Sequence, residues 1–170
     1  DYAHRDAEEC KAALQAGPLK VPSVRVLTNE GATRASILQK LRDLKRATGY
    51  SDTVHLLISA QGLARSVEVS NPTDEGFIYA YRGTGETPRV ATIRLDELRD
   101  FLTDLRARRK FLFADVNREL HPTCPKDEEV KKLAANKISS RMQVLLMGVR
   151  DLNVLLASRE AQRSKEDPNK

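Results

Sequence analysis

The sequence predicts an α/β fold, a three-layer sandwich built on a mostly parallel sheet. Three observations predict it. Thr53–Ser59 and Lys110–Val116 are almost unbroken apolar runs, the pattern of strands covered on both faces. Helical periodicity recurs between the candidate strands, so strands and helices alternate along the chain. The 170 residues are enough for one domain with a substantial core.

The elements follow in order. Ala3, Ala7, Cys10 and Leu14 recur at helical spacing over residues 3–16, and Gly17-Pro18 stops the helix. Val24-Arg25-Val26-Leu27 reads as a short strand. Thr33 is placed to cap a helix running to about residue 47, whose inward face is Ile37, Leu41 and Leu44, with Gly49 ending it. The Thr53–Ser59 strand comes next. From Gly62 to Pro88 the pattern gives way to turns around Phe77-Ile78-Tyr79-Ala80-Tyr81, read as a small hairpin or excursion beside the main sheet. Val90–Ile93 is a short extended piece. Asp96–Arg106 is a helix with Leu95, Leu98, Leu102 and Leu105 inward. The Lys110–Val116 strand precedes a loop at His121–Pro125 and a helical stretch bearing Val130, Leu133, Ile138, Met142 and Leu145. Asn153–Ala157 is the last strand. Residues 1–158 form the predicted domain, and 159–170 a polar segment expected to be mobile.

Composition narrows the function classes. No apolar run is long enough to span a membrane as a helix, so no membrane partner is expected. Cys10 and Cys124 offer neither a disulfide framework nor a zinc spacing, which favours a reducing, cytoplasmic setting. The formal charge of +5, from 29 basic and 24 acidic residues, is spread along the chain. Its densest cluster is Arg106, Arg108, Arg109 and Lys110, placed in the last turn of a helix where cations suit the dipole. No aromatic residue interleaves with it, which argues against nucleic acid as a partner. No Gly-x-Gly-x-x-Gly motif or Walker loop follows a strand, and no cofactor is expected.

Ligand sites of open parallel sheets lie beyond the carboxyl ends of the strands. Gln61 and Asn117 fall at such ends, as do Asn29 and Ser158. The surrounding segments, Leu56-Leu57-Ile58-Ser59-Ala60-Gln61-Gly62 and Phe111-Leu112-Phe113-Ala114-Asp115-Val116-Asn117, resemble the two active-site strand ends of the caspase-like cysteine peptidases. There the first usually reads Ser-Gly-His-Gly, and the second Asp-Ala-Cys or Asp-Ser-Cys. The resemblance to bacterial caspase-like domains extends to Asp6-Ala7, Val26-Leu27-Thr28-Asn29 with Ala32-Thr33-Arg34, Ser51-Asp52-Thr53-Val54, Leu95-Asp96-Glu97-Leu98 and Leu156-Ala157-Ser158, in the right order. The family's first apolar strand has no counterpart before Tyr2. By this resemblance it would lie between the Val24 and Thr53 strands.

The resemblance implies an inactive relative. Gln61 stands at the histidine position and Asn117 at the cysteine position. Peptidase chemistry needs a thiolate and an imidazole, and a carboxamide supplies neither. It does hydrogen-bond to peptide groups. Asp115 matches a family aspartate that in some relatives helps form a pocket for a basic side chain. Gly62 matches a glycine whose backbone helps stabilise the reacting oxygen. The expected function is a pseudoprotease, a peptide- or protein-binding or scaffolding module within a larger multidomain protein, with Gln61, Gly62, Asp115 and Asn117 in its binding site. Two alternatives stand beside it. One is an active peptidase using the displaced pair His121 and Cys124. The other is a basic domain that binds an anionic polymer.

Overall fold

The computed structural model describes residues 3–18, 21–65, 75–81, 91–116 and 138–157. Among the described residues are four α-helices: α1 Ala3–Ala16, α2 Arg34–Ala47, α3 Leu95–Asp104 and α4 Ile138–Leu146. Six strands accompany them among the described residues: β1 Thr53–Ser59, β2 Gly62–Arg65, β3 Glu75–Tyr79, β4 Thr92–Arg94, β5 Arg109–Asp115 and β6 Leu152–Leu156. They form two sheets.

The larger architectural unit is a parallel sheet of order β1-β5-β6. Strand alternation sends residues 54, 56 and 58 of β1 to one face, with residues 112 and 114 of β5 and 152, 154 and 156 of β6. That face is the core. Leu112 is fully buried there, against Leu95, Leu98 and Leu102 of α3 and Met142 and Leu146 of α4. Helix α2 covers the N-terminal part of the same face, where Leu44 packs against Val54, Leu105 and Ala107. Helix α1 packs against β1, and its Asp6 carboxylate lies 3.5 Å from Ser59 Oγ, on the opposite face. Helices therefore lie on both sides of the sheet. On the α1 side His55 stacks on Phe111 with ring centroids 4.9 Å apart, while Leu57 and Leu155 are 41% and 50% exposed.

The second sheet is antiparallel, in the order β2-β3-β4. It is more than the small excursion expected from the turn-rich sequence. Strand β2 was not anticipated, because Gly62-Leu63-Ala64-Arg65 is too short to show alternation and begins with glycine. Strand β2 follows β1 after two residues and pairs with β3, so the chain leaves the parallel sheet at Ala60-Gln61.

Local chemistry accounts for the helix boundaries. Thr33 Oγ1 accepts from the Ser36 N–H at 3.2 Å, capping α2 as its sequence predicts. At the start of α3, Glu97 Oε2 accepts from the Arg94 N–H at 3.0 Å, while Oε1 takes Arg34 of α2. Arg34 Nε also donates to the Thr92 carbonyl at 2.9 Å. One guanidinium thus joins α2, β4 and α3. Lys110, 4% exposed, reaches back under the end of α3 and donates to the Leu102 carbonyl at 2.9 Å and the Arg150 carbonyl at 3.3 Å. The basic cluster does not occupy the last turn of a helix, because α3 ends at Asp104. Lys110 alone meets helix carbonyls, and Arg106, Arg108 and Arg109 are exposed.

Residues 23–28 carry no strand pairing, in contrast to the strand expected at Val24–Leu27. The expected helical residues Val130 and Leu133, and the polar segment 159–170, lie outside the described residues. No helix among the described residues is long and apolar enough to cross a membrane.

Two outcomes test this packing. Leu112→Ala should lower unfolding free energy by about 3 kcal/mol, because it opens a void where the surroundings relax only partly. Chemical denaturation measures it. At Asp96, burial works to raise the pKa, but the hydrogen bond and charge of Arg94, the Glu97 N–H and the charge of Arg99 outweigh it and hold the carboxyl below its ordinary 3.8. A depressed carboxylate pKa adds stability above the unfolded-state value and loses it as pH falls through the folded-state value. Asp96→Asn should therefore reduce the melting temperature at pH 7 slightly, with the gap to wild type closing below about pH 4. A gap that persists at acid pH would refute this.

Candidate functional site

Strands β1 and β5 are parallel neighbours in register, with Ser59 opposite Asp115. They end at the same level of the sheet. The ladder then continues past the strands: the Ala60 N–H donates to the Asp115 carbonyl at 3.0 Å, and the Gly62 N–H donates to the Val116 carbonyl at 2.9 Å. Gln61 sits between these two bonds. Both strand ends singled out in the sequence are thus brought together, as far as Val116. Asn117, His121, Cys124 and Ser158 lie outside the described residues.

Each side chain owes its position to main-chain geometry. Gln61 is half-buried at the point where the chain turns from β1 into β2, and it lines a large groove beside β1. Gly62 is buried and opposite Ile78 of β3. Asp115 is half-buried on the same face as Ser59, and Ser59 meets Asp6 from α1. Asn29, expected at a strand end, follows no strand: it is exposed in a single turn of 3-10 helix with φ of 46°, and it also lines the groove. A left-handed backbone is tolerated by asparagine better than by most residues.

The Gly62 N–H deserves a chemical reading. In the family resemblance its counterpart donates toward the reacting oxygen of a substrate. Here the donor is already engaged by Val116 at ordinary hydrogen-bond length. A preorganised oxyanion donor must point at the place where charge develops, and this one points into the sheet.

Other candidate groups lie elsewhere. His55 is a half-buried residue of mid β1, stacked on Phe111 and Phe113. His4 is half-buried on the groove wall, where its Nδ1 is inaccessible and has no hydrogen-bond partner. Cys10 is half-buried and free. Among the described residues no three His, Cys, Asp or Glu side chains gather to hold a metal ion.

No protein-family model and no curated protein matches the chain. Among solved structures, the fold is similar to the crystal structure of protein GSU0716 from Geobacter sulfurreducens, with a TM-score of 0.55 and 19% identity. The match covers 87% of this chain and 60% of that one, so this chain spans less than two thirds of the length of its structural neighbour. That likeness concerns the α/β fold alone.

Proposed function

We propose that this chain is a non-catalytic member of the caspase-like cysteine peptidases, a module that binds a peptide or protein segment at the carboxyl ends of β1 and β5. One observation carries the reading: the Gly62 N–H, the donor a peptidase of this type would turn to its substrate, is bonded to the Val116 carbonyl. The sequence supports it from a second direction. Gln61 occupies the position of the imidazole and Asn117 that of the thiol. Neither amide titrates near neutrality, so no proton is moved and no acyl-enzyme forms.

What such a site retains is recognition. Gln61 offers both a donor and an acceptor to a peptide main chain, and Asp115 offers a carboxylate to a basic side chain. Asn117 adds a second amide, two residues after Asp115. The partner in this reading is a protein or peptide. The domain acts as a scaffold within a larger polypeptide.

The test separates chemistry from architecture. Wild-type protein should neither cleave peptides ending in Arg, Lys or Asp nor react with electrophilic peptidase inhibitors at position 117. In the double variant Gln61→His, Asn117→Cys, a paired imidazole should lower the new thiol's pKa. Iodoacetamide labelling at position 117 should then run about tenfold faster than at Cys124 at pH 7. Peptide cleavage should still be absent, because the oxyanion donor remains engaged. Cleavage by wild-type protein that disappears on mutating His121 or Cys124 would sink the proposal in favour of the displaced pair.

A further inference from the structure

The end of the parallel sheet opposite the candidate site carries a second set of polar side chains. Strands β1, β5 and β6 run the same way, so their amino ends lie together, with Thr53 opposite Arg109 and Lys110 opposite Leu152. The segments leading into them are bonded to one another. The Arg108 N–H donates to the Tyr50 carbonyl at 3.0 Å, and the Lys110 N–H to the Asp151 carbonyl at 2.9 Å. Lys110 Nζ reaches the Arg150 carbonyl at 3.3 Å. The fold thus gathers Arg46, Tyr50, Arg106, Arg108, Arg109 and Arg150 at one end of the sheet.

All five arginines are exposed, and among the described residues none of them has an ion pair or a side-chain hydrogen bond. The acids of the same segments do little to offset them. Asp104 is bonded by Lys45 Nζ at 2.8 Å, and Asp52 accepts from the Gly49 N–H at 2.7 Å. Asp151 is the remaining exposed carboxylate of these segments. Clustered like charges repel, so the arrangement costs stability unless an anion lies between them.

Helix dipoles do not account for the cluster. Helices α2, α3 and α4 finish at this end, but arginine does not answer their carbonyls. Leu44 accepts from Thr48, Leu102 from Lys110 and Leu146 from Val149. Arg106, Arg108, Arg109 and Arg150 lie beyond the last helical turns, where the dipole has fallen off.

Residue type narrows the anion. A lysine cluster would serve any diffuse negative surface. The free cations here are arginines, whose planar fork bonds two phosphate oxygens and stacks on flat rings. Tyr50 adds an aromatic ring, and the residue is 72% exposed and tied by its main chain to Arg108. In the sequence no aromatic residue interleaves with the basic cluster; the fold supplies one from another segment. Three strands span about 10 Å, room for about three phosphates of one nucleic-acid strand.

We propose that the amino end of the β1-β5-β6 sheet binds single-stranded nucleic acid, the arginines taking successive phosphates and Tyr50 stacking on a base. This surface is separate from the Gln61 and Asp115 end and does not depend on the function proposed there.

The test measures fluorescence anisotropy of labelled oligothymidylate and oligouridylate with the 170-residue chain, from about 20 to about 200 mM NaCl. Binding of either oligomer is expected, with a slope of log affinity against log salt of about −3, as for about four neutralised phosphates. The tighter of the two identifies the sugar. Arg108→Gln, Arg109→Gln and Arg150→Gln together should flatten the slope by about two. Tyr50→Ala should weaken binding about tenfold at unchanged slope, and Tyr50→Phe should restore it. The triple variant should keep or raise the low-salt melting temperature, because it relieves repulsion. Absence of binding at the lowest salt overturns the proposal. So does an equal loss from Arg25→Gln with Lys40→Gln, which are exposed on other segments, since net charge alone would then explain it. Duplex DNA bound as tightly as oligothymidylate, or polyglutamate or phosphatidylserine vesicles bound more tightly, overturns it as well. A lower melting temperature with unchanged binding assigns the arginines to structure and overturns it too. If the triple variant fails to fold, each arginine is changed singly, and an unchanged slope in all three has the same consequence.

Discussion

The parallel pairing of β1 with β5 is the constraint on which the other elements depend. Strand β5 is bonded on both edges, to β1 and β6, and its Leu112 is the residue around which α3 and α4 close. A strand paired twice has no freedom to slip by one residue without turning its buried face outward. That fixed register sets Ser59 opposite Asp115 and makes the two strands end together. The same pairing, prolonged by the bonds of Ala60 and Gly62, holds the β1 exit against β5 while the chain turns into the second sheet. Site and fold are thus one hydrogen-bond ladder.

That ladder also ties the two sheets. Gly62 donates to Val116 in one direction and pairs with Ile78 in the other. Ile78 enters the same apolar cluster as Leu112. Polar links reinforce this at the second sheet's far edge, where Arg34 bonds the Thr92 carbonyl and the Glu97 carboxylate. Half-buried charges hold such positions when both partners are satisfied, and Glu97 uses both oxygens. Lys110 follows the same logic in a deeper setting. Its ammonium answers carbonyls at the end of α3 and at Arg150 that would otherwise lack partners.

What could be read in the sequence follows from how local each feature is. Helices α1 and α2 announce themselves through 3.6-residue spacing, and Thr33 through its capping chemistry, so both emerge within a residue of expectation. Strands β1 and β5 are visible because burial on both faces leaves a continuous apolar run. Pairing is different, since a strand is a relation between two segments. Val24-Arg25-Val26-Leu27 has the propensity of a strand, but propensity supplies no partner. Gly62–Arg65 has little propensity and becomes a strand because β3 lies alongside. At the site, Gln61, Gly62 and Asp115 were legible as strand-end residues. That the Gly62 N–H turns inward was not, because a donor's direction depends on the register of a neighbour more than fifty residues away.

An inward-turned donor changes what the strand end is for. In a peptidase, a main-chain N–H at this point must remain unpaired until the substrate arrives, which costs stability in a buried place. On the proposed reading the nucleophile and base positions hold amides, and nothing selects for holding that donor open. Pairing it with Val116 removes an orphaned polar group and stiffens the exit from β1. The carboxamide at position 61 then lies on the wall of the β1 groove rather than over a reacting centre. On the proposed reading, a strand end bonded to β5 and carrying amide and carboxylate groups suits steady binding of a main chain better than turnover, in which charge must appear and disappear. On the proposed reading, the amides at positions 61 and 117 and the engaged Gly62 N–H belong together, as parts of a strand end that stabilises the sheet itself rather than a transient oxyanion.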